Sequence, residues 1–376
     1  MINFQTAGES HGQYLSGIIN GIPSNVNFDH EFINKELKRR QSGYGRSNRM
    51  DIEEDNIKVL SGIEEGKTTG NPISIIIKNR GRDIPLNEIY KPRPGHGDLV
   101  GTLKYNHNGG RNVLERASAR ETTMRVALGS ICKLLLREFN IEIFSHVVNI
   151  GGINSNIDYY KGLNLEKVDL KSLYEKPLRV IDKVSEDKMI EEINSTKKKG
   201  DSLGGSIEII VRNTPVGIGS HSSWERKLDA LLSYGLMSIP AIKSVEFGLG
   251  IESSNARGST MQDEISYDNS EYKRLSNNSG GIEAGISNGE DIVIRIHMKP
   301  IPTLRIPLET VDIRTKKKTK AISERSDVCA VPAAGIVGEA MVAYTLSNEF
   351  VKKFGGDSLE EMNRNFNSYM DYIDRR

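Results

Sequence analysis

The chain has 376 residues, 37% of them hydrophobic and 27% charged, and its formal net charge is +1. This composition suits a globular protein with a sizeable core, and it excludes the overall basicity that binding to nucleic acid or a membrane surface requires. The two cysteines, Cys132 and Cys329, stand in no metal-ligand spacing, so a disulfide framework and a zinc site are excluded as well. Because no apolar run reaches the ~18 residues of a membrane helix and no secretory signal pattern opens the chain, we expect a cytoplasmic protein.

Helices are predicted wherever apolar side chains recur on one face at helical spacing. In chain order, the first two helices cover residues 29–40 and 115–139. A third begins after a capping box of Ser222 and Glu225, a fourth after Pro332, and a fifth after a cap formed by Ser358 and Glu361. Strands are predicted where isoleucine or valine occupies every second position, at residues 73–77, 207–211 and 292–296.

The order of these elements indicates the fold class. Long helices follow groups of strands instead of alternating with single strands, which favours antiparallel sheets packed on helices, an α+β fold. The alternation of apolar residues predicts that each sheet is covered on one face only. No low-complexity linker divides the chain, so residues 1–376 are expected to form a single domain, and the lysine-rich run 316–320 is expected to be a solvated loop.

The first candidate site is the segment Gly8-Glu9-Ser10-His11-Gly12. It matches the G-x-S-x-G pattern of a hydrolase nucleophile elbow, but too little chain precedes Ser10 to build the strands that such an elbow needs. Two interpretations remain: a structural turn, or a loop whose backbone approaches a ligand closely with Ser10 and His11 beside it.

An arginine-rich segment, residues 39–49, follows the first predicted helix. Arg39 and Arg40 could simply interact with the helix dipole, but this does not explain Arg46 and Arg49 in a glycine-containing loop. Guanidinium groups bind carboxylates and phosphates through paired hydrogen bonds, which predicts an anion site. A nucleic-acid site would need a wider basic surface and more aromatic residues than the 6% of this chain.

The segment Arg93-Pro94-Gly95-His96-Gly97-Asp98 contains the next candidate. Proline and glycine predict a tight turn that presents His96 from a rigid loop. Histidine is the side chain suited to proton transfer near neutral pH, and Arg93 beside it favours a functional role over a structural one.

Two further candidate segments lie at the start of a predicted helix or just before one. Residues 115–122 place Arg116, Ser118 and Arg120 at a helix start, either as an anion site or in a first turn linked by ion pairs. Residues 324–332 place Arg325 and Asp327 two positions apart, where the aspartate is a candidate base or only orients the arginine. Cys329 in the same segment is expected to be a packing residue.

These five segments, together and in this order, resemble the chorismate synthase family, over residues 8 to 339. Shorter matching segments are residues 60–62, 66–73, 201–205, 287–289 and 299–303. Members of that family convert 5-enolpyruvylshikimate 3-phosphate to chorismate in the shikimate pathway, the last common step of aromatic amino-acid biosynthesis. They do so by anti-1,4-elimination of phosphate, which requires reduced FMN although no net redox change occurs. The resemblance implies a β-α-β sandwich, with antiparallel sheets around a helical layer, and a homotetramer.

The resemblance also implies the binding residues of this chain, and no metal among its ligands. The carboxylates and phosphate of the substrate would meet Ser10, Arg40, Arg46, Arg49, Arg93, Arg120 and Arg325. Arg40 and Arg46 also match positions associated in the family with NADPH. Reduced FMN would contact Arg116, Ala117, Ser118, Pro240, Ala241, Ala284, Lys299, Pro300, Ile301, Pro302, Thr303 and Arg325.

Three catalytic roles follow from the same resemblance. His11 would keep a proton on the reduced flavin, His96 would protonate the leaving phosphate, and Asp327 would accept the N5 proton so that flavin N5 can take the C6 hydrogen of the substrate. The chain departs from the family at Gly97, where alanine is usual, and at Gly109, where many members have aspartate. The first change is expected to be harmless, and the second puts the polar contacts of its loop in doubt.

Two classes of function are therefore compared. The first is an FMN-dependent lyase, and the alternative is a non-catalytic anion- or nucleotide-binding protein that uses the same arginines. His11, His96 and Asp327 distinguish them, because a binding protein needs no acid–base set. The sequence leaves open whether the chain reduces its own flavin with NADPH, although its compact length resembles the members that rely on a separate flavin reductase.

Overall fold

The computed structural model describes residues 1–46, 54–80, 87–268, 271–323 and 326–376, so that Arg49 and Arg325 lie outside the described residues. The helices are α1 (His30–Gln41), α2 (Asp98–Tyr105), α3 (Arg111–Ala117), α4 (Thr122–Arg137), α5 (Leu170–Glu175), α6 (Lys183–Lys198), α7 (Leu228–Met237), α8 (Gly258–Met261), α9 (Val331–Phe354) and α10 (Leu359–Asp374). The strands are β1 (Asn3–Ala7), β2 (Tyr14–Asn20), β3 (Ile57–Ser61), β4 (Ile63–Glu64), β5 (Lys67–Thr68), β6 (Ile73–Lys78), β7 (Glu142–Ile150), β8 (Ile153–Asn154), β9 (Gly205–Arg212), β10 (Ile242–Phe247), β11 (Ile265–Asp268), β12 (Glu271–Arg274), β13 (Ile282–Glu283), β14 (Ile286–Ser287), β15 (Ile292–Met298), β16 (Glu309–Val311) and β17 (Lys318–Lys320).

Two antiparallel sheets contain the longer strands. The smaller sheet has the order β1-β2-β6-β3, and the larger has the order β10-β15-β9-β7-β8. The three predicted strands are β6, β9 and β15, and their alternating isoleucines are buried. The mixture of helices with antiparallel sheets confirms the α+β prediction.

Two long apolar helices lie against these sheets. Helix α4 packs on β1 and β2 of the smaller sheet, α9 packs on β7 and β9 of the larger, and the two helices pack on each other. Nearly every residue of both helices is buried, because apolar or small side chains occur all around them. Side chains of both helices and of both sheets belong to one connected core.

A buried ion-pair network fixes α1 against this helical pair. The Lys133 amine of α4 lies 2.6 Å from Glu36 and 2.5 Å from Glu339 of α9, and Arg39 binds the same two carboxylates. Burial acts to raise the pKa of Glu36, but Lys133 and Arg39 overcome this effect and lower it to about 2. Arg39 is thus held in the core, and α1 ends in a fixed position just before the loop that carries Arg46.

The helix predicted over residues 115–139 is interrupted, so a single helix there is wrong. Helix α3 ends at Ala117, Ser118 is extended (φ −64°, ψ 144°), and a short 3-10 turn leads into α4. The Ser118 hydroxyl accepts a hydrogen bond from the Arg120 N–H (3.3 Å), a local contact that competes with helix continuation. The interruption sets Ser118 and Arg120 apart from both helices, at the site described below.

The capping box predicted at Ser222 and Glu225 is wrong as well. The Ser222 hydroxyl instead bonds to Ser220, and α7 begins at Leu228 without a side-chain cap. Its first N–H is satisfied by the Gly285 carbonyl (2.9 Å), a tertiary contact that no local pattern reveals.

The other predicted helix starts are confirmed. Asp29 caps α1 by accepting from the Phe32 N–H, and Ser358 caps α10 by accepting from the Glu361 N–H. Pro332 lies in the first turn of α9, where its missing N–H costs nothing.

The larger sheet is covered on both faces at its centre, so the prediction of half-covered sheets is wrong for β9. Glu208 and Ile210 point away from the helices and are still 0% exposed. The segment after β8 reaches this outer face, where the Tyr159 N–H donates to the Glu208 carboxylate (2.9 Å). The lysine-rich run 316–320 is exposed as predicted, but its last three residues form strand β17 of a hairpin with β16.

In the loop at Gly109, the polar contacts are supplied by another residue, Glu88. The position where a Cβ of residue 109 would lie is 2.2 Å from the Glu88 side chain. Glu88 accepts hydrogen bonds from its own neighbour Ile89 N–H (2.9 Å) and from the Arg111 N–H at the start of α3 (3.0 Å). Glu88 therefore supplies a carboxylate to this helix start, in a space that only glycine leaves open.

Candidate functional site

The loop between β1 and β2 holds Ser10 and His11 against the end of α3. The Ser10 N–H donates to the Glu115 carbonyl (3.0 Å), and the His11 N–H donates to the Glu115 carboxylate (2.8 Å). The same carboxylate lies 2.9 Å from His11 Nδ1. Burial acts to raise the pKa of Glu115, but the hydrogen bonds from His11 lower it overall, so that the ionised carboxylate accepts from Nδ1–H. His11 Nε2 is then the ring nitrogen that remains for a ligand.

Arg40 and Arg120 meet at Asp55, and Arg46 lies close enough to affect the charge of Arg40. Arg40 Nη2 lies 3.1 Å and Arg120 Nη1 lies 2.6 Å from the two oxygens of the buried Asp55 carboxylate. Burial lowers the pKa of Arg40 to about 10 against the opposing charge of Asp55, and Arg46 and Arg120 add to this shift. Arg40 Nε is buried and has no hydrogen-bond partner among the residues that the structure describes. An excess of positive charge and an unused donor both suit a bound anion.

Asn79 joins this arginine cluster to the β1–β2 loop. Its amide oxygen accepts from Arg120 Nε (2.8 Å), and its amide nitrogen donates to the carbonyls of Glu9 (3.1 Å) and Gly12 (2.8 Å). Asn79 is buried, so these hydrogen bonds are sheltered from water. The loop of Ser10 and His11 is thereby fixed relative to Arg120.

Arg46 and Asp327 form an ion pair with 2.8 Å between Nη1 and Oδ2, and their side chains are 10% and 16% exposed. Backbone hydrogen bonds hold both loops: the Val328 N–H donates to the Gly45 carbonyl, and the Leu203 N–H donates to the Val328 carbonyl, each at 2.8 Å. The sequence suggested Arg325 as the partner that Asp327 could orient. The structure gives Asp327 a partner in Arg46, and Arg325 lies outside the described residues.

Arg93, His96 and Asp98 form a second cluster at the start of α2. The fully buried Asp98 accepts from Arg93 Nε (2.8 Å) and Nη2 (2.9 Å), and it lies 2.6 Å from His96 Nδ1. Burial acts to raise the pKa of Asp98, but the hydrogen bonds from His96 and Arg93 hold it well below its usual range. The Asp98 carboxylate therefore stays ionised and fixes both neighbouring side chains.

The turn over residues 299–303 packs across this second cluster. Thr303 Oγ1 accepts from Arg93 Nη1 (2.8 Å), and the Lys299 amine donates to the Gly95 carbonyl (2.6 Å). The Lys299 N–H also donates to the Ala241 carbonyl (2.9 Å). The predicted cofactor residues around 240 and 300, which are distant in sequence, are therefore neighbours.

The end of α3 connects the two clusters. The Ser118 hydroxyl lies 3.2 Å from that of Ser10, and Arg116 donates to the Thr6 carbonyl (2.8 Å) at the end of β1. On the other side, a Cβ added at Gly97 would lie 4.0 Å from Ala117 Cβ, which is ordinary contact. Gly97 has φ −74°, a conformation open to any residue, so its departure from alanine leaves this packing intact.

Ala284 is separated from the other predicted cofactor residues. It lies in the hairpin β13–β14, whose Gly285 carbonyl accepts from the first residue of α7. Ala241 follows the other end of α7, a helix of 10 residues. Such a helix is roughly 15 Å long, so the structure does not bring Ala284 to Ala241 and Lys299.

Four buried or half-buried polar residues of the site were not predicted as functional: Asp55, Asn79, Asp98 and Glu115. Asp98 has a visible signal, because a histidine and an aspartate two positions apart can share one turn. Glu115 was interpreted only as part of an ion-paired helix turn, and its actual partner His11 is more than a hundred residues away. Asp55 and Asn79 carry no local signal, since their partners come from other parts of the chain.

Other kinds of site find no support. Both cysteines are buried thiols whose pKa burial raises to about 12, which makes them poor nucleophiles. Within the described ranges, no group of three or more His, Cys, Asp or Glu side chains could hold a metal ion. No helix in the part of the chain that the structure describes is long and apolar enough to cross a membrane.

Comparison with known proteins gives one consistent family. The family model described as chorismate synthase matches residues 2–351. The chorismate synthase of Caldanaerobacter subterraneus subsp. tengcongensis is 52% identical and that of Alkaliphilus oremlandii 48% identical, each over at least 99% of both chains. A crystal structure of chorismate synthase superposes with a TM-score of 0.84 at 40% identity, and the match covers 100% of this chain and 99% of that one. The chain therefore belongs to the chorismate synthase family and is a carbon–oxygen lyase of the type that acts on phosphates.

Proposed function

We propose that this member of the chorismate synthase family eliminates phosphate from 5-enolpyruvylshikimate 3-phosphate in the anti-1,4 sense and uses reduced FMN to do so. The observation that carries the proposal is the pair of Arg40 and Arg120 on Asp55, which Asn79 links to the loop of His11 and beside which Arg46 pairs with Asp327. A substrate with two carboxylates and a phosphate needs several cationic groups. A proton donor and a proton acceptor must also lie beside them.

The arginine cluster supports binding of a multiply charged anion. Arg40 and Arg120 share the single carboxylate of Asp55, and the pKa of Arg40 is lowered to about 10 chiefly by burial. A bound carboxylate or phosphate would restore the balance and accept from the unused Nε of Arg40. Arg49 and Arg325 are proposed as further ligands on the resemblance alone.

The two histidines support the acid–base part of the proposal. Both have Nδ1 occupied by a carboxylate, Glu115 for His11 and Asp98 for His96, so each presents Nε2. His96, protonated on both ring nitrogens before the step, is proposed to donate the Nε2 proton to the leaving phosphate, which leaves the neutral ring protonated at Nδ1. His11 is proposed to hold a proton at the cofactor, and Asp327 to take one up there.

The donor set near residues 118, 241 and 299–303 fits FMN. The Lys299 amine has three N–H groups, of which one donates to Gly95, and the Thr303 hydroxyl, which accepts from Arg93, can donate its own hydrogen. These groups suit a phosphate and ring oxygens, while Ala117, Pro240 and Ala241 are small enough to let a flat ring approach. When bound, reduced FMN would supply the electron-rich ring whose N5 takes the C6 hydrogen of the substrate.

An anaerobic assay tests the function against the alternative of a non-catalytic anion-binding protein. Purified protein, chemically reduced FMN and substrate should release inorganic phosphate and form chorismate in equal amounts. Tight binding of substrate without phosphate release would instead support the binding protein. A second arm with NADPH and oxidised FMN should give no turnover, because we propose that a separate reductase supplies the reduced flavin; turnover there would identify NADPH as the chain's own reductant.

Replacing Arg46 with alanine should weaken substrate binding roughly ten- to hundredfold, because a charge-assisted hydrogen bond contributes about 1.5–3 kcal/mol. The Arg46 side chain is only 10% exposed, so the loss should persist at high salt. Titration calorimetry with the substrate gives the dissociation constant. Arg212→Ala is the matched control, since Arg212 pairs with Glu142 (3.4 Å) at the far end of β9. An unchanged constant in Arg46→Ala would remove Arg46 from the site.

We further propose the family's β-α-β sandwich and homotetramer for this chain. Helices α4 and α9 packed between the two sheets support the sandwich. Exposed apolar residues support assembly, among them Tyr14 and Ile18 on one face of β2 and Leu103 on α2. Light scattering should give a mass near four chains of 41.8 kDa, and a monomer at micromolar concentration would contradict the assembly. The cytoplasmic location stays a prediction.

A further inference from the structure

We propose that Asp98 is a positioning residue that fixes His96 in the tautomer protonated at Nδ1 and, with the same carboxylate, fixes the guanidinium of Arg93. The inference rests on the proposed role of His96 as proton donor, but the tautomer can be measured without any turnover. Asp98 touches neither substrate nor cofactor in this proposal and acts only through its two neighbours.

Asp98 has the geometry of a shared acceptor. One oxygen, Oδ2, accepts from the Arg93 backbone N–H (3.1 Å) and from Arg93 Nε (2.8 Å). The other, Oδ1, accepts from Arg93 Nη2 (2.9 Å) and lies 2.6 Å from His96 Nδ1. The side chain is 0% exposed, so water cannot replace any of these partners. An ionised carboxylate offers only acceptors, and therefore His96 Nδ1 must carry a hydrogen.

The neighbouring Arg93 strengthens this assignment. Arg93 Nη2 lies 3.1 Å from His96 Nδ1, a distance that by itself would allow the arginine to donate to the ring. Its Nη2 is closer to Asp98 Oδ1, at 2.9 Å, and the ring nitrogen is closer still to that oxygen. If Arg93 Nη2 and His96 Nδ1 both donate to Asp98 Oδ1, each contact joins a donor to an acceptor. If Nδ1 had no hydrogen, its lone pair would face the lone pairs of Oδ1, which is repulsive.

The first turn of α2 holds Asp98 in a fixed position. Asp98 is the first residue of α2, its carbonyl accepts from the Thr102 hydroxyl (2.6 Å), and Gly97 before it adopts helical angles. Thr303 holds the other side of the same guanidinium at Arg93 Nη1 (2.8 Å). The cluster therefore ties the acid–base residue His96 to the turn that is proposed to bind the cofactor.

Asp98→Asn tests the role with little change in shape. The amide oxygen should stay on the side of Arg93, where two donors require an acceptor, and the amide NH₂ then faces His96. The neutral ring can satisfy that donor only by moving its hydrogen from Nδ1 to Nε2. We expect turnover to fall by up to about 10⁴-fold, the loss seen when an aspartate-to-asparagine change leaves a catalytic histidine in the wrong tautomer, while KM changes less because the Arg93 backbone N–H and Nε keep their acceptor and only Nη2 loses one.

Proton–nitrogen correlation spectra of ¹⁵N-histidine-labelled full-length protein report the tautomer directly. The His96 signal is assigned by its absence in His96→Gln. At a pH where the ring is neutral, the wild type should show its hydrogen at Nδ1, and Asp98→Asn should show it at Nε2. Asp187→Asn is the control, because Asp187 is an exposed residue of α6 that pairs with Lys183 (2.7 Å).

The outcomes separate the two proposals. A wild-type ring protonated at Nε2, or the same tautomer in wild type and Asp98→Asn, would overturn the positioning role even if the enzyme is active. An Nδ1 tautomer in a protein that releases no phosphate would leave the positioning role intact and remove the proposed function. If Asp98→Asn does not fold, the wild-type spectrum alone still decides the tautomer.

Discussion

Replacing His96 with alanine is expected to lower the rate of phosphate release by about 10²–10⁴-fold, the usual contribution of a general acid. Asp98 occupies the Nδ1 side of the ring, so Nε2 is the atom that would hold the transferred proton. Alanine removes this donor but leaves the two side-chain hydrogen bonds from Arg93 to Asp98, at 2.8 and 2.9 Å, which do not involve the ring. Affinities for substrate and reduced FMN should therefore change little.

Single-turnover phosphate release measured across pH tests this role. In the wild type the rate should fall as pH rises, because the acid form of the donor is depleted. In His96→Ala that alkaline limb should be absent, because the group that titrates is gone. His221→Ala is the matched control, since His221 is exposed in the loop before α7. A normal rate at every pH in His96→Ala would mean that His96 is structural.

The sequence predicted the residue types of the site better than their partners. The Arg93–Asp98 segment indicated both a turn and a candidate proton donor, because proline, glycine and histidine act locally. The role of Asp55 could not be predicted in the same way. Its two arginine partners lie 15 and 65 positions away along the chain, and only the packing of α1 on α4 brings them together.

The errors in secondary structure have the same physical origin. A helical pattern of apolar residues continues through residue 118, but Ser118 leaves the helix for contacts with Arg120 and Ser10. Likewise, Glu208 follows the alternation expected for a solvated face of β9 and is nevertheless buried with His146 (2.9 Å). In each place a hydrogen bond outweighs the preference that periodicity indicates, a local one between Ser118 and Arg120 and a tertiary one between Glu208 and His146, and periodicity carries no information about such a partner.

Changing Asp327 to asparagine is expected to reduce the rate by at least the range of a general base, about 10²–10⁴-fold. Two other aspartates of the site, Asp55 and Asp98, have side chains that are 0% exposed. Asp55 binds two arginines, and Asp98 binds an arginine and a histidine. The Asp327 side chain is 16% exposed, so it is the aspartate most open to a ligand. Asparagine preserves size and one acceptor for Arg46 but removes the basicity.

The competing explanation is that Asp327 only orients Arg46 through their 2.8 Å ion pair. The two explanations predict opposite kinetics. If Asp327 is the base, turnover at saturation should fall while the affinities for substrate and FMN are retained, because asparagine can still accept from the guanidinium. If it only orients Arg46, affinity should fall by the difference between an ion pair and a neutral hydrogen bond, and turnover at saturation should largely survive.

Single-turnover phosphate release and calorimetric substrate affinity, measured together on Asp327→Asn, decide between them. Asp371→Asn serves as the control, since Asp371 is an exposed residue of α10. Addition of small carboxylates such as formate should partly restore turnover if a missing base is the cause, because a mobile carboxylate can accept the proton but cannot reposition an arginine. Near-normal single-turnover release in Asp327→Asn would exclude Asp327 as the base and leave the ion pair with Arg46 as its function.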